Sequence, residues 1–99
     1  MNLPLPQGAS AAEWFAALES ACLKMSMFAP QALVVSLGVD GFGGDPRSHF
    51  KLSSADFLRI GERIGHLGLP TVFVFEGGSV VPELGINVVN VLEGFETAA

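Results

Sequence analysis

The chain has 99 residues and a mass of 10.4 kDa, which leaves room for one hydrophobic core and excludes a second independent one. Apolar residues make up 49% and charged residues 15%, which excludes a disordered chain, and a domain this small has an apolar excess that points to a protein partner. Five Lys plus Arg against ten Asp plus Glu leave a net charge of −5 without basic runs, so nucleic acid is not expected as a partner, and the single Cys22 excludes an internal disulfide.

The N-terminal stretch MNLPLPQG carries two prolines and no apolar core of a signal peptide, and the first basic residue is Lys24. The longest apolar runs, 32–39 and 71–75, are far shorter than the roughly 20 residues of a membrane span. A cytoplasmic chain that does not engage membranes is the expectation.

Ser10 with Glu13 three positions later has the spacing of a capping box, which predicts a helix beginning at Ala11. Phe15, Leu18, Cys22 and Met25 recur at helical steps and Pro30 ends the pattern, so the helix covers about 11–28. The run 32–37 is short, apolar and bounded by Pro30 and Gly38, the pattern of a strand covered on both faces and paired in parallel. Residues 38–46 are too glycine-rich for a helix and form a loop at the C-terminal end of that strand, where open α/β sheets bind ligands.

Ser53 and Asp56 repeat the capping logic, and Phe57, Ile60, Ile64 and Leu67 form a stripe ending at Gly68 and Pro70, which predicts a helix over about 54–67. A second buried strand follows over about 71–76, with Gly77, Gly78 and Ser79 in a loop on the same edge. Pro82 suits the first turn of a last helix, about 82–95, whose stripe is Leu84, Val88, Val91 and Phe95. The fold class is therefore α/β, a βαβ unit with parallel strands and three helices, forming one partial domain over 1–99. Two strands leave sheet edges and faces uncovered, and such edges invite another chain.

Asp40, Asp45, Glu76 and Ser79 lie on the two loops at the sheet edge, which is how an α/β active-site rim is built; the same glycine-rich turns also serve as plain tight connections. The glycines do not follow G-x-G-x-x-G and no Lys comes after them, so a nucleotide cradle is not expected. Asp40 is an oxygen donor for a metal, but zinc takes three protein ligands and the nearby His49 reads as a loop-end surface residue. His66 falls at the last turn of the second helix, where an imidazolium complements the dipole. Ser79 lacks the G-x-S-x-G elbow of a hydrolase nucleophile. Trp14, Phe15, Met25, Met27 and Phe28 read as core or interface, and Cys22 as a buried, unreactive thiol.

Together, residues 2–8, 28–40, Gly44-Asp45-Pro46 and Glu76-Gly77-Gly78 resemble, in order and spacing, the C-terminal part of the catalytic domain of the histone deacetylase superfamily. Ser48-His49-Phe50-Lys51-Leu52 and Arg59-Ile60-Gly61-Glu62-Arg63 place the resemblance nearest the bacterial acetylpolyamine aminohydrolases and related deacetylase-like amidohydrolases. It covers the whole chain and implies part of an arginase/deacetylase-like fold. For the family it implies zinc-assisted amide hydrolysis, with Asp, His and Asp on the metal, a His as general base and acid, and a Tyr polarising the acetyl carbonyl.

By this resemblance Asp40 stands at the last zinc-binding Asp, in an incomplete site. Ser79 occupies the position of the catalytic Tyr, and the chain contains no Tyr. The Asp-x-His pair and the tandem histidines have no counterpart, and Gly41 departs from the usual residue after the ligand Asp. The resemblance thus implies no catalytic residue in this chain, and zinc as the family's cofactor but none bound by this chain alone. Two functions of different class are expected. One is a truncated relative of a zinc-dependent deacetylase for acetylated polyamines or acetyl-lysine, inactive unless a complementary N-terminal polypeptide completes it. The other is a non-catalytic α/β module that forms homo-oligomers or binds another protein.

Overall fold

Ser10 and Ser53 each open a helix by the same device. The Ser10 hydroxyl accepts the Glu13 N–H at 3.2 Å while the Glu13 carboxylate accepts the Ser10 N–H, also at 3.2 Å. Ser53 and Asp56 repeat the exchange at 3.2 and 2.8 Å. Each cap satisfies two backbone donors that the first turn leaves without partners and contributes about 1 kcal/mol.

The computed structural model describes residues 1–38, 50–76 and 83–98. The elements are α1 (Ala11–Phe28), β1 (Leu33–Leu37), α2 (Ser54–Gly65), β2 (Thr71–Phe75) and α3 (Leu84–Ala98). Helix α1 has the bounds that its periodicity implies and ends on Ala29, whose left-handed backbone (φ 56) lets its N–H donate to the Met25 and Ser26 carbonyls. Helix α2 stops at Gly65 rather than 67, because His66 caps it and the chain then turns through Gly68 at φ +68. The expected start of the last helix at Pro82 lies outside the described residues. Its end lies three residues beyond the expected one, at Ala98, since nothing after Phe95 interrupts the helix and the Thr97 hydroxyl donates back to the Glu93 and Gly94 carbonyls.

β1 and β2 pair in parallel, Leu33 opposite Thr71 through Leu37 opposite Phe75, with α2 as the crossover. Along β1 the side chains alternate, and Leu33, Val35 and Leu37, with Phe73 of β2, face the helices. There they meet Phe57, Ile60 and Ile64 of α2, Val91 and Phe95 of α3, and Trp14, Phe15 and Leu18 of α1. Phe73 and Phe95 close the contact edge to face, with ring centroids 5.3 Å apart.

The expectation that both strands are covered on both faces is corrected here. Val34, Val72 and Val74 point away from the helices and are 72%, 60% and 45% exposed. The helices pack their core residues against one face only, so the apolar run reads as doubly buried while half of it is uncovered. Met27 and Phe28, read as core or interface, stand exposed at the end of α1, so they are not core residues of this chain.

Helices α2 and α3 run side by side in the same direction, as the pairings Ser54 with Asn90, Leu58 with Gly94 and Gly65 with Ala98 show. Their backbones nearly touch. A Cβ on Gly61 would lie 2.0 Å from the Val91 carbonyl oxygen, and one on Gly94 would lie 2.1 Å from that of Leu58. Helix α1 is tied to α2 by the Arg59 guanidinium, 4.1 Å from the centre of the Phe15 ring, and by the Arg63–Glu19 ion pair at 2.5 Å. Among the described residues no helix is long and apolar enough to cross a membrane.

Candidate functional site

The in-register pairing of β1 with β2 makes both strands end at the same level, so the segments after Leu37 and after Phe75 leave the sheet side by side. The Glu76 N–H donates to the Leu37 carbonyl at 2.8 Å, extending the ladder by one bond, and the Ser36 hydroxyl donates to the Glu76 carboxylate. The two exits are therefore clasped together by one backbone and one side-chain bond.

Asp40 follows Leu37 by three positions and Ser79 follows Phe75 by four, so the register brings the roots of both segments together at the carboxyl edge. Asp40, Gly41, Asp45, His49 and Ser79 themselves lie outside the described residues. Behind the end of β1 an apolar cavity lies between α1 and α2, lined by Trp14, Leu37, Gly38, Phe50 and Phe57 among others.

The other candidates are far from this edge. Because β1 and β2 are parallel, α2 carries the chain back across the sheet, and its cap His66 lies at the opposite, amino edge. There His66 lines a shallow groove with Phe15, Glu19, Arg59, Glu62 and Arg63. Arg63 holds the Glu19 carboxyl below the usual carboxylate range by its hydrogen bond, and Glu19 in turn raises the Arg63 guanidinium. Cys22 is buried within α1, and desolvation pushes its thiol up, as expected of an unreactive cysteine. Among the described residues no three His, Cys, Asp or Glu side chains come together to hold a metal ion; the candidate donors Asp40, Asp45 and His49 lie outside them.

Sequence reasoning passed over Asn87 and Asn90, in the first turns of α3. Asn90 donates from Nδ2 to the Ser54 carbonyl at 2.9 Å and so pins α3 to the first turn of α2. Asn87 is completely buried, and among the described residues neither its amide oxygen nor its amide nitrogen has a hydrogen-bond partner. The signal was present: Asn87 stands four residues before Val91, a polar side chain beside the apolar stripe of the helix. The Ser36–Glu76 clasp was also missed, because it depends on strand register.

Residues 1–95 match the profile of the histone deacetylase domain. The chain belongs to the histone deacetylase family. It is 55% identical over 98 residues to Acetylpolyamine amidohydrolase 1 of Pseudomonas aeruginosa, covering 99% of this chain and 28% of that protein. Against the Acetylpolyamine amidohydrolase of Mycoplana ramosa it is 45% identical over 93 residues, covering 94% of this chain and 27% of the relative. The crystal structure of the acetylpolyamine aminohydrolase from Burkholderia pseudomallei superposes with a TM-score of 0.95 at 41% identity, over 99% of this chain and 29% of that one. The α/β architecture is thus that of a deacetylase fold, and the chain spans little more than a quarter of the length of the curated relatives it matches.

Proposed function

We propose that this chain is the segment of a zinc-dependent acetylpolyamine deacetylase that supplies the Asp40 and Ser79 loops, and that it is inactive until the remaining part of such a domain completes the site. The observation that supports this best is the clasped, level exit of the two loop-bearing segments from β1 and β2, in a fold that superposes on an acetylpolyamine aminohydrolase. In this reading Asp40 is one metal ligand among several, and the others come from the remaining part of such a domain. The Ser79 hydroxyl is far shorter in reach than a tyrosine phenol and leaves the acetyl oxygen without that donor, a loss that typically costs about 10²- to 10³-fold in rate. One unpaired cysteine fits the reducing cytoplasm, where we place the protein.

The test is complementation. The chain is co-expressed with the part of Acetylpolyamine amidohydrolase 1 of Pseudomonas aeruginosa that lies outside the matched region, and hydrolysis of an acetylated polyamine is followed with zinc added. No turnover by the chain alone, weak turnover by the pair and a gain of about 10²-fold or more in the Ser79→Tyr pair are expected. Zinc-dependent turnover by the chain alone, or an inactive Ser79→Tyr pair, would overturn the reading.

A second reading, a non-catalytic module that associates with itself, is favoured by the exposed Val34, Leu23, Met27 and Ile86 side chains. Light scattering separates it: a dimer or larger assembly of the pure chain would support it, and a concentration-independent monomer would count against it.

A further inference from the structure

We propose that the Ser36 hydroxyl and the Glu76 carboxylate are a positioning pair, whose bond sets the separation of the Asp40 and Ser79 segments where these leave the sheet. The proposal rests on the reading of those two segments as the chain's contribution to a deacetylase site. It names two side chains that act through the segments and not on substrate.

Ser36 is the last residue but one of β1, and Glu76 follows directly after β2. Alternation puts Ser36 on the sheet face opposite the core, because its neighbour Leu37 is buried in the core. Glu76 stands two residues after Val74 and returns to that same face, where its carboxylate accepts the Ser36 hydroxyl. Its N–H donates to the Leu37 carbonyl at 2.8 Å. One residue of the second exit thus holds two consecutive residues of the first, by backbone and by side chain, while the Leu37 side chain anchors that exit from the core side.

The sequence makes this the last point at which the two exits are tied by side chains before each meets a glycine. Gly38 comes directly after Leu37 and Gly77 directly after Glu76, and glycine imposes little direction of its own on the chain. Asp40 stands three residues beyond Leu37 and Ser79 three beyond Glu76, so each lies within about 11 Å of its root even at full extension. The final bond of a ladder opens more readily than those inside it, and reacting groups misplaced by about 1 Å lose on the order of 10²-fold in rate. A second bond across the exits therefore acts on geometry more than on stability. Both partners are exposed, so its loss leaves the core around Phe57 and Val91 in place.

The test reads geometry first. The chain carries Cys22→Ala, Gly41→Cys and Ser79→Cys, with a nitroxide on each new cysteine, and is diluted in unlabelled chain. The distance distribution between the two labels is then measured by pulsed electron resonance. Ser36→Ala and Glu76→Ala are each expected to broaden it, the double variant no further than either alone, and Ser36→Thr and Glu76→Gln, which keep a hydroxyl donor and an oxygen acceptor, to restore it. Val34→Ala, on the same sheet face but outside the bond, should leave it unchanged. Turnover is read in a chimera in which the chain with Ser79→Tyr replaces the matched region of Acetylpolyamine amidohydrolase 1 of Pseudomonas aeruginosa. There each alanine variant should lower kcat about tenfold or more with KM unchanged, and the conservative variants should recover it. A distribution that neither alanine variant alters, or turnover that stays the same where the distribution broadens, would overturn the proposal. An inactive chimera whose chain still broadens on loss of the bond would sink the catalytic reading and leave the positioning pair standing.

Discussion

Gly94 of α3 faces the Leu58 carbonyl of α2 so closely that a methyl group on Gly94 would lie 2.1 Å from the oxygen. Gly61 meets the Val91 carbonyl from the other side at 2.0 Å, so each helix sinks a glycine into the backbone of its neighbour. Both obstacles are backbone atoms, which cannot swing aside as a side chain can. Gly94→Ala and Gly61→Ala are each expected to lower stability by about 3 kcal/mol or more, because the helices must separate and open the core around Val91. Gly85, which has open space at its Cβ position, is the control: Gly85→Ala is expected to raise stability by about 0.5–1 kcal/mol. Urea denaturation of the three variants checks the order.

The buried amide of Asn87 gives a prediction of opposite sign. A buried polar group without a partner costs about 1–3 kcal/mol, so Asn87→Leu, which fills similar space with an apolar side chain, should stabilise the chain by about 1 kcal/mol. A fall in the denaturation midpoint would show that the amide is paired in solution.

Cys22 tests the order of the α1 packing. Its thiol is buried and shifted toward the protonated form, so a thiol reagent at about pH 8 should label it only as fast as the chain opens. Labelling is expected to accelerate to the rate of a free thiol in denaturant. Rapid labelling of the folded chain would place the α1 face that carries Cys22 in solvent.

The Arg63–Glu19 pair sets a pH dependence whose sign follows from the shift. Folding lowers the Glu19 carboxyl through the hydrogen bond from Arg63, so the pair's contribution is complete above the ordinary carboxylate range. It is lost as pH falls through the depressed folded value. Glu19→Gln should therefore be slightly less stable than the parent near about pH 7 and equal to it near about pH 2, with the difference small because Glu19 is exposed. Denaturation curves at the two pH values check both ends.

Helix starts were legible because a capping box is a local device: Ser10 with Glu13 and Ser53 with Asp56 need only their own four residues to act. The strands were legible as apolar runs between breakers, and their parallel pairing follows from the helix between them. The edge at which both strands end was legible for the same reason. Asp40 and Ser79 were placed at the sheet edge by the order of strands and breakers, but their positions in the family's site came only from the resemblance, since one carboxylate or one hydroxyl among glycines has no chemical signature of its own.

What the sequence determined by itself was the element order, the capped helix starts, the α/β class and the family, all of which rest on local chemistry or on linear motifs. What only the tertiary structure decided was which faces meet. An alternating apolar strand does not say whether its second face is covered, and Val34, Val72 and Val74 proved to be bare. Nothing in the linear sequence shows that Gly61 and Gly94 each sit against a neighbouring backbone, and Ser36 and Glu76 lie forty residues apart until parallel register makes them neighbours. The physical reason is common to all three: these contacts depend on distances between elements, which are set by packing and not by the spacing of residues along the chain.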